Sequence, residues 1–225
     1  VPTDDYLDFY IWPQYAEKGY LWMIPKCDGR ANVGLVTEDK SRAKKALDEF
    51  IEDTEFKNLQ QIPPPWKEKG NPAFGGTIPI SGPYELTYDD GLMLVGDAAG
   101  FTSPLFEGGS HLALKSAVFA AEVASKQISE GNLSAEKMAR YQKLWTDEFP
   151  PYGKILKGKS ALFELSDDDM SLMAQCFPDE MSNMGPHGKL AVCLRILLRR
   201  PSLYGKKIVP AMLSFGYSRA KYYGW

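Results

Sequence analysis

The sequence predicts an α+β fold in three parts: an antiparallel sheet with one helix over residues 1–88, a strand–loop–helix over 89–130, and a helical region over 131–225. Three observations predict it. Short aromatic and β-branched runs separated by turn residues crowd the N-terminal part, and an apolar run passes through a Gly-rich loop into small-residue helical sequence over residues 91–117. From Asn132 onward the pattern is helical, interrupted at Pro150-Pro151, Pro178, Gly185-Pro186, Pro201 and Pro210.

Residues 6–12 (Tyr-Leu-Asp-Phe-Tyr-Ile-Trp), 19–24 and 31–37 read as three strands of an antiparallel meander. Aromatics on one of its faces would line a pocket, although Tyr20 and Trp22 at alternate positions equally suit an ordinary sheet core. Over residues 41–56, Ala43, Ala46, Leu47, Phe50 and Ile51 recur at three- and four-residue spacing with Lys and Glu between them. That spacing predicts an amphipathic helix begun by Ser41 or Asp39 and stopped by Pro63-Pro64-Pro65. Residues 75–80 (Gly-Gly-Thr-Ile-Pro-Ile) suggest another strand, followed by a Ser81-Gly82-Pro83 turn.

Residues 92–95 (Leu-Met-Leu-Val) form a continuous apolar run, as expected of a strand buried on both faces. Gly96 lets the chain turn, and Asp97 presents a carboxylate where the strand stops, placed to accept hydrogen bonds from ligand hydroxyls. Ala98, Ala99 and Gly100 are small enough for close approach. After Pro104, Glu107-Gly108-Gly109 opens a helix whose free amides and positive dipole end would favour an anion or an electron-rich ring edge.

Composition excludes several classes. At 44% hydrophobic and 24% charged over 225 residues the chain is neither disordered nor fibrous. Cys27, Cys176 and Cys193 are odd in number and widely spaced, so neither a disulfide framework nor a metal cradle is indicated, and a reducing cytoplasmic setting is expected. Cys27 reads as an inert thiol and His111 as a structural histidine. Residues 186–225 carry eight Lys and Arg and no Asp or Glu, leaving the remainder at about −11 against a total of −3. Such a tail fits either a basic subdomain packed on an acidic body or a surface that meets anionic headgroups. No nucleic-acid motif accompanies it. Neither a Gly-x-Ser-x-Gly elbow nor a phosphate-binding loop is present, and Gly185-Pro-His-Gly-Lys189 lacks the spacing of one.

The run Gly96-Asp97-Ala98-Ala99-Gly100, with Pro104, Gly108 and Gly109, resembles the second flavin-binding motif of the p-hydroxybenzoate hydroxylase-like flavoproteins. The resemblance implies that Asp97 contacts the ribityl chain of FAD and that the following helix points at the pyrimidine side of the ring. One departure stands out: Glu107 occupies a position where many relatives carry Gly, adding bulk and charge beside the ring. A second match narrows the family. Tyr20-x-Trp22-x-Ile24-Pro25, with Ala31-Asn32-Val33-Gly34 beyond, is similar to the signature with which geranylgeranyl reductases line a prenyl cavity, Ile24 and Val36 replacing the usual Phe and Gly. Tyr20, Trp22 and Pro25 are thereby candidate substrate residues.

What the resemblance implies is an FAD-dependent reductase, fed by NAD(P)H or ferredoxin, that hydrogenates prenyl double bonds of a membrane lipid, with the basic aromatic C-terminal region holding it peripherally on the inner face. A flavin monooxygenase or halogenase and a non-catalytic lipid-binding module are the alternatives. The Gly-x-Gly-x-x-Gly fingerprint that receives the ADP half of a dinucleotide is absent. The expectation is therefore a C-terminal portion lacking the N-terminal Rossmann half, which alone binds FAD weakly or not at all.

Overall fold

In the computed structural model, residues 7–26, 29–58, 60, 62, 73–179, 184–204 and 208–218 are described. The chain divides into two units, Val1–Thr77 and Ile78–Trp225. Small antiparallel sheets and many helices make it α+β, as the sequence pattern predicts.

In the first unit, β1 (Asp8–Tyr10), β2 (Tyr20–Pro25) and β3 (Ala31–Val36) form the expected meander, with Phe9 opposite Trp22 and Trp22 opposite Gly34. The two-residue alternation gives the sheet two characters. Leu21 and Met23 face α1 (Ala43–Asp53) and are buried with its Ala46 and Phe50. Phe50, fully buried, has the Tyr10, Tyr15 and Phe56 rings within 5.8 Å of its own. Burying such a side chain contributes about 1.5–3 kcal/mol.

The Asp39 carboxylate accepts hydrogen bonds from the Ser41 amide and hydroxyl, so both expected start residues shape the entry, one turn before the helix proper. The Ser41 hydroxyl, first among several donors, holds the Asp39 carboxyl below its ordinary value. The stop differs from expectation. α1 ends at Asp53, because Thr54 is extended and its hydroxyl donates to the Phe50 carbonyl; Pro63, Pro64 and Pro65 lie outside the described residues.

The strand expected over residues 75–80 does not form. Gly75 and Gly76 offer no side chain to pack and Pro79 no amide, and no strand pairs with this stretch among the described residues. In the second unit, β4 (Tyr88–Asp89) and β5 (Leu92–Met93) make a short hairpin across Asp90-Gly91, with Gly91 at φ +64°. Double-sided burial of residues 92–95 is also corrected: Leu92 is 50% and Val95 36% exposed. Among the described residues, β5 pairs only with β4 and has no neighbouring parallel strand to cover it.

Helices α2 (Ser110–Glu130), α3 (Ala135–Glu148), α4 (Tyr152–Phe163), α5 (Asp167–Cys176), α6 (Pro186–Arg199) and α7 (Ile208–Tyr217) follow, broken near the expected prolines. Each stop has a local cause. Gly131, at φ +68°, closes α2 with its amide on the Gln127 and Ile128 carbonyls, and the Ser166 hydroxyl accepts from the Asp169 amide at the start of α5. Phe101, Leu112, Tyr141, Ile155 and Ile196 are the centre of the core, with the Phe101 ring 5.0 Å from Trp145 and 4.9 Å from Phe149.

Candidate functional site

The strand-to-helix connection is a folded object rather than an open loop. Residues 96–99 form a 3-10 turn, and the amides of Gly100 and Phe101 donate back to the Asp97 and Gly96 carbonyls. Two glycines are required here. Gly96 has φ +55° and Gly100 φ +78°, conformations that cost L side chains energy, and a Cβ on Gly100 would lie 2.4 Å from the Gly82 carbonyl oxygen. The Gly96 amide donates to the Ser116 hydroxyl at 3.1 Å, which donates to Ala113, tying the turn to the second turn of α2.

Asp97 is exposed. Its Oδ1 accepts from the Thr102 hydroxyl at 3.0 Å and would lie 3.1 Å from a Cβ on Gly109, the cap of α2. The carboxylate therefore stands beside the N-terminus of a 21-residue helix, where the lack of a side chain at Gly109 leaves room. Ala98 is exposed with it. Gly96, Ala99, Gly100 and Pro104 are buried instead, so these four candidates underlie the turn and do not face solvent. Ser103 closes the connection, its amide donating to Gly108 and its carbonyl accepting from Glu107. His111 is half-buried in the first turn of α2.

Glu107 resolves the departure noted in the sequence. It adopts φ +50°, and its side chain, 4% exposed, turns to Lys159 of α4 at 3.3 Å, with the lysine 6% exposed. The added charge is matched by a buried cation. Lys159 was legible in principle: Tyr152, Ile155 and Leu162 are spaced so that position 159 continues the inward stripe of α4, and a lysine there needs a buried partner. Thr102 and Ser116 carried no such signal, being small polar residues in small-residue sequence. Behind the turn, the Tyr141 hydroxyl donates to the Leu94 carbonyl at 2.5 Å, and burial pushes its pKa up to about 12. Trp145 donates to the Thr87 hydroxyl at 2.8 Å, and Thr87 to Gln142 at 3.1 Å.

In the first unit, Tyr20 and Trp22 lie on the sheet face opposite α1, with Phe9. Tyr20 is 8% exposed, and its ring is 5.1 Å from Phe9 and 5.9 Å from Trp22. The Trp22 indole lies over Gly34, whose hypothetical Cβ would be 2.4 Å from the ring, and its N–H donates to Asn32 at 2.7 Å. Pro25, by the same alternation, belongs to the other face and pairs with Ala31, so the three signature residues do not share one surface. A hollow of about 510 Å³ lined by Tyr10, Trp12, Phe50 and Asp53 also lies away from Tyr20 and Trp22. Cys27 lies outside the described residues. Among the described residues no cluster of His, Cys, Asp or Glu could hold a metal, and no helix is long and apolar enough to cross a membrane.

Residues 2–63 match the family model of the geranylgeranyl reductase catalytic domain. The chain is 37% identical over 199 residues to digeranylgeranylglycerophospholipid reductase of Methanocaldococcus jannaschii, covering 88% of this chain and 49% of that protein. It is 34% identical over 202 residues to digeranylgeranylglycerophospholipid reductase 2 of Methanothermobacter thermautotrophicus, with the same shares. A crystal structure of a geranylgeranyl bacteriochlorophyll reductase-like protein from Thermoplasma acidophilum superposes with a TM-score of 0.71 at 28% identity, over 90% of this chain and 50% of that one. The chain thus spans about half the length of the curated relatives it matches.

Proposed function

The chain is a relative of the geranylgeranyl reductases, and from that premise we propose that it forms the flavin-ring side and the substrate sheet of an FAD-dependent reductase that hydrogenates geranylgeranyl chains of lipids. One observation carries the reading: an exposed carboxylate, Asp97, stands beside the glycine-capped start of α2, in a chain similar along 88% of its length to reductases of such lipids.

The residues present fit the cofactor. Asp97 keeps a second carboxylate oxygen for the ribityl hydroxyls, and a side chain at Gly109 would crowd the Asp97 carboxylate. Ala98 leaves space for close approach, while Gly96, Ala99, Gly100 and Pro104 hold the turn from beneath. The start of α2, led by Gly108 and Gly109, would offer backbone amides and a positive dipole end to a ring bound there, favouring its anionic reduced form. Bound FAD, reduced by NAD(P)H or ferredoxin, supplies the hydride equivalent for the alkene. Tyr20 and Trp22 present an apolar, water-excluding face for the prenyl chain. The protein works in the cytoplasm, peripheral on the inner face of the membrane that carries its substrate, through the basic C-terminal region.

The test is the whole protein carrying this chain, loaded with FAD and given digeranylgeranylglycerophospholipid. Hydrogenation read as mass gain is expected, together with a bound-flavin absorbance band. Asp97→Ala should weaken FAD binding by about tenfold or more, the scale of one lost hydrogen bond to a charged group. A protein that takes up no flavin, or that takes it up and leaves the lipid unchanged, overturns the proposal.

A further inference from the structure

We propose that the outward face of α6 is a docking surface for an anionic lipid bilayer. A helix on a protein surface normally turns apolar residues inward and polar ones to water. α6 turns Val192 and Ile196 inward, 2% and 0% exposed, yet its outward stripe is also apolar: Leu190, Leu194 and Leu198 are 59%, 48% and 81% exposed. Their four-residue spacing puts them in one row.

The polar residues sit at the flanks and partly turn back into the protein. Arg195 donates to the Cys176 carbonyl at 3.4 Å, and Arg200 pairs with Asp169 at 2.9 Å. Single exposed leucines are ordinary, but an aligned row on a helix without one acidic residue is not. Just beyond the helix Tyr204, 50% exposed, adds a ring with an apolar body and a polar tip, suited to a headgroup boundary.

Charge selects the occupant. α6 itself carries Lys189, Arg195 and Arg199 and no acidic residue, so a second copy set against it would bring like charges together and be repelled. Anionic headgroups complement the same charge while the acyl boundary takes the leucines, and exposed Lys189 and Arg199 add cations on long stems to the same helix. At 14 residues α6 is shorter than the roughly 20 needed to span a bilayer, so it lies on the surface. The lipid substrate proposed above gives such a surface its purpose, and to that extent this inference rests on that reading; the measurement below needs no flavin.

The chain is sedimented with vesicles of phosphatidylglycerol mixed with phosphatidylcholine, and with phosphatidylcholine alone. Binding is expected to the anionic vesicles, to weaken as salt rises, and to drop at least about tenfold when Leu190→Ser, Leu194→Ser and Leu198→Ser are combined. Because those side chains face solvent, circular dichroism and the melting temperature of the variant should match the parent. Lys189→Glu with Arg199→Glu should also weaken binding. The proposal is overturned if the parent ignores anionic vesicles, if the serine variant binds equally, or if the parent is a dimer that the serine variant dissociates. Vesicle binding by a whole protein that hydrogenates nothing supports this surface and removes only the reductase reading.

Discussion

Lys159 and Glu107 place two opposite charges, 6% and 4% exposed, inside the helical unit. Removing one partner of such a pair strands the other, at about 3–5 kcal/mol. Lys159→Met should therefore cost that much in urea unfolding, whereas Lys159→Met with Glu107→Gly should recover most of it. The glycine also removes the roughly 1 kcal/mol that a side chain costs in the left-handed conformation. A double variant no more stable than Lys159→Met would contradict the pairing.

Tyr141 sets a pH dependence of known sign. Burial raises its folded pKa to about 12 from an ordinary 10.0, so the stability tied to its neutral hydroxyl is complete below pH 10 and lost as pH rises toward 12, where the unfolded chain releases the proton first. Tyr141→Phe should flatten that decline in a urea series. At neutral pH it should cost about 1–2 kcal/mol, because the Leu94 carbonyl loses its donor. Residue types were legible in the sequence at Asp97 and Gly109. Partners were not: nothing local links Tyr141 to a carbonyl 47 residues away.

At the scale of elements, α4 and α7 meet through Gly158. A Cβ there would lie 2.3 Å from the Ser214 Cβ and 2.4 Å from the Pro210 carbonyl oxygen, so the helices touch where a side chain is missing. Gly158→Ala should lower stability by about 1–3 kcal/mol, the usual cost of overpacking, despite the better helix propensity of alanine. A melting temperature equal to or above the parent's would show that α7 shifts without cost. The meander, α1 and the helical succession were legible because period and turn chemistry are local signals. The strand expected over residues 75–80 was not, since a strand exists only if a neighbour accepts its hydrogen bonds, and composition says nothing of neighbours. Residues 92–95 misled in the same way: an apolar run reports an environment on both sides, and Leu92 and Val95 are open to solvent here.

For the whole molecule, the decisive facts are a chain that spans about half the length of its relatives and lacks a Gly-x-Gly-x-x-Gly fingerprint. If Asp97 and the start of α2 hold the flavin as proposed, FAD added to this chain by itself should meet ring-side and ribityl contacts only. Titration followed by flavin fluorescence should therefore show no stoichiometric uptake at about 1 μM, where a complete site of nanomolar affinity would saturate. Tight uptake would mean that the ADP half is bound by residues outside any known fingerprint. Charge asymmetry was readable from composition, but the outward row of Leu190, Leu194 and Leu198 was not, since their spacing equally suits an inward stripe.

The Trp22 indole, pinned by Asn32 and resting on Gly34, gives the sheet an optical gauge of its own. Held in one orientation and half-open to water, its emission should move to shorter wavelength if an oily guest dries the face it shares with Tyr20. With the other four of the five tryptophans replaced by Phe, occupancy of that face could be followed by light, without a label and before any chemistry begins.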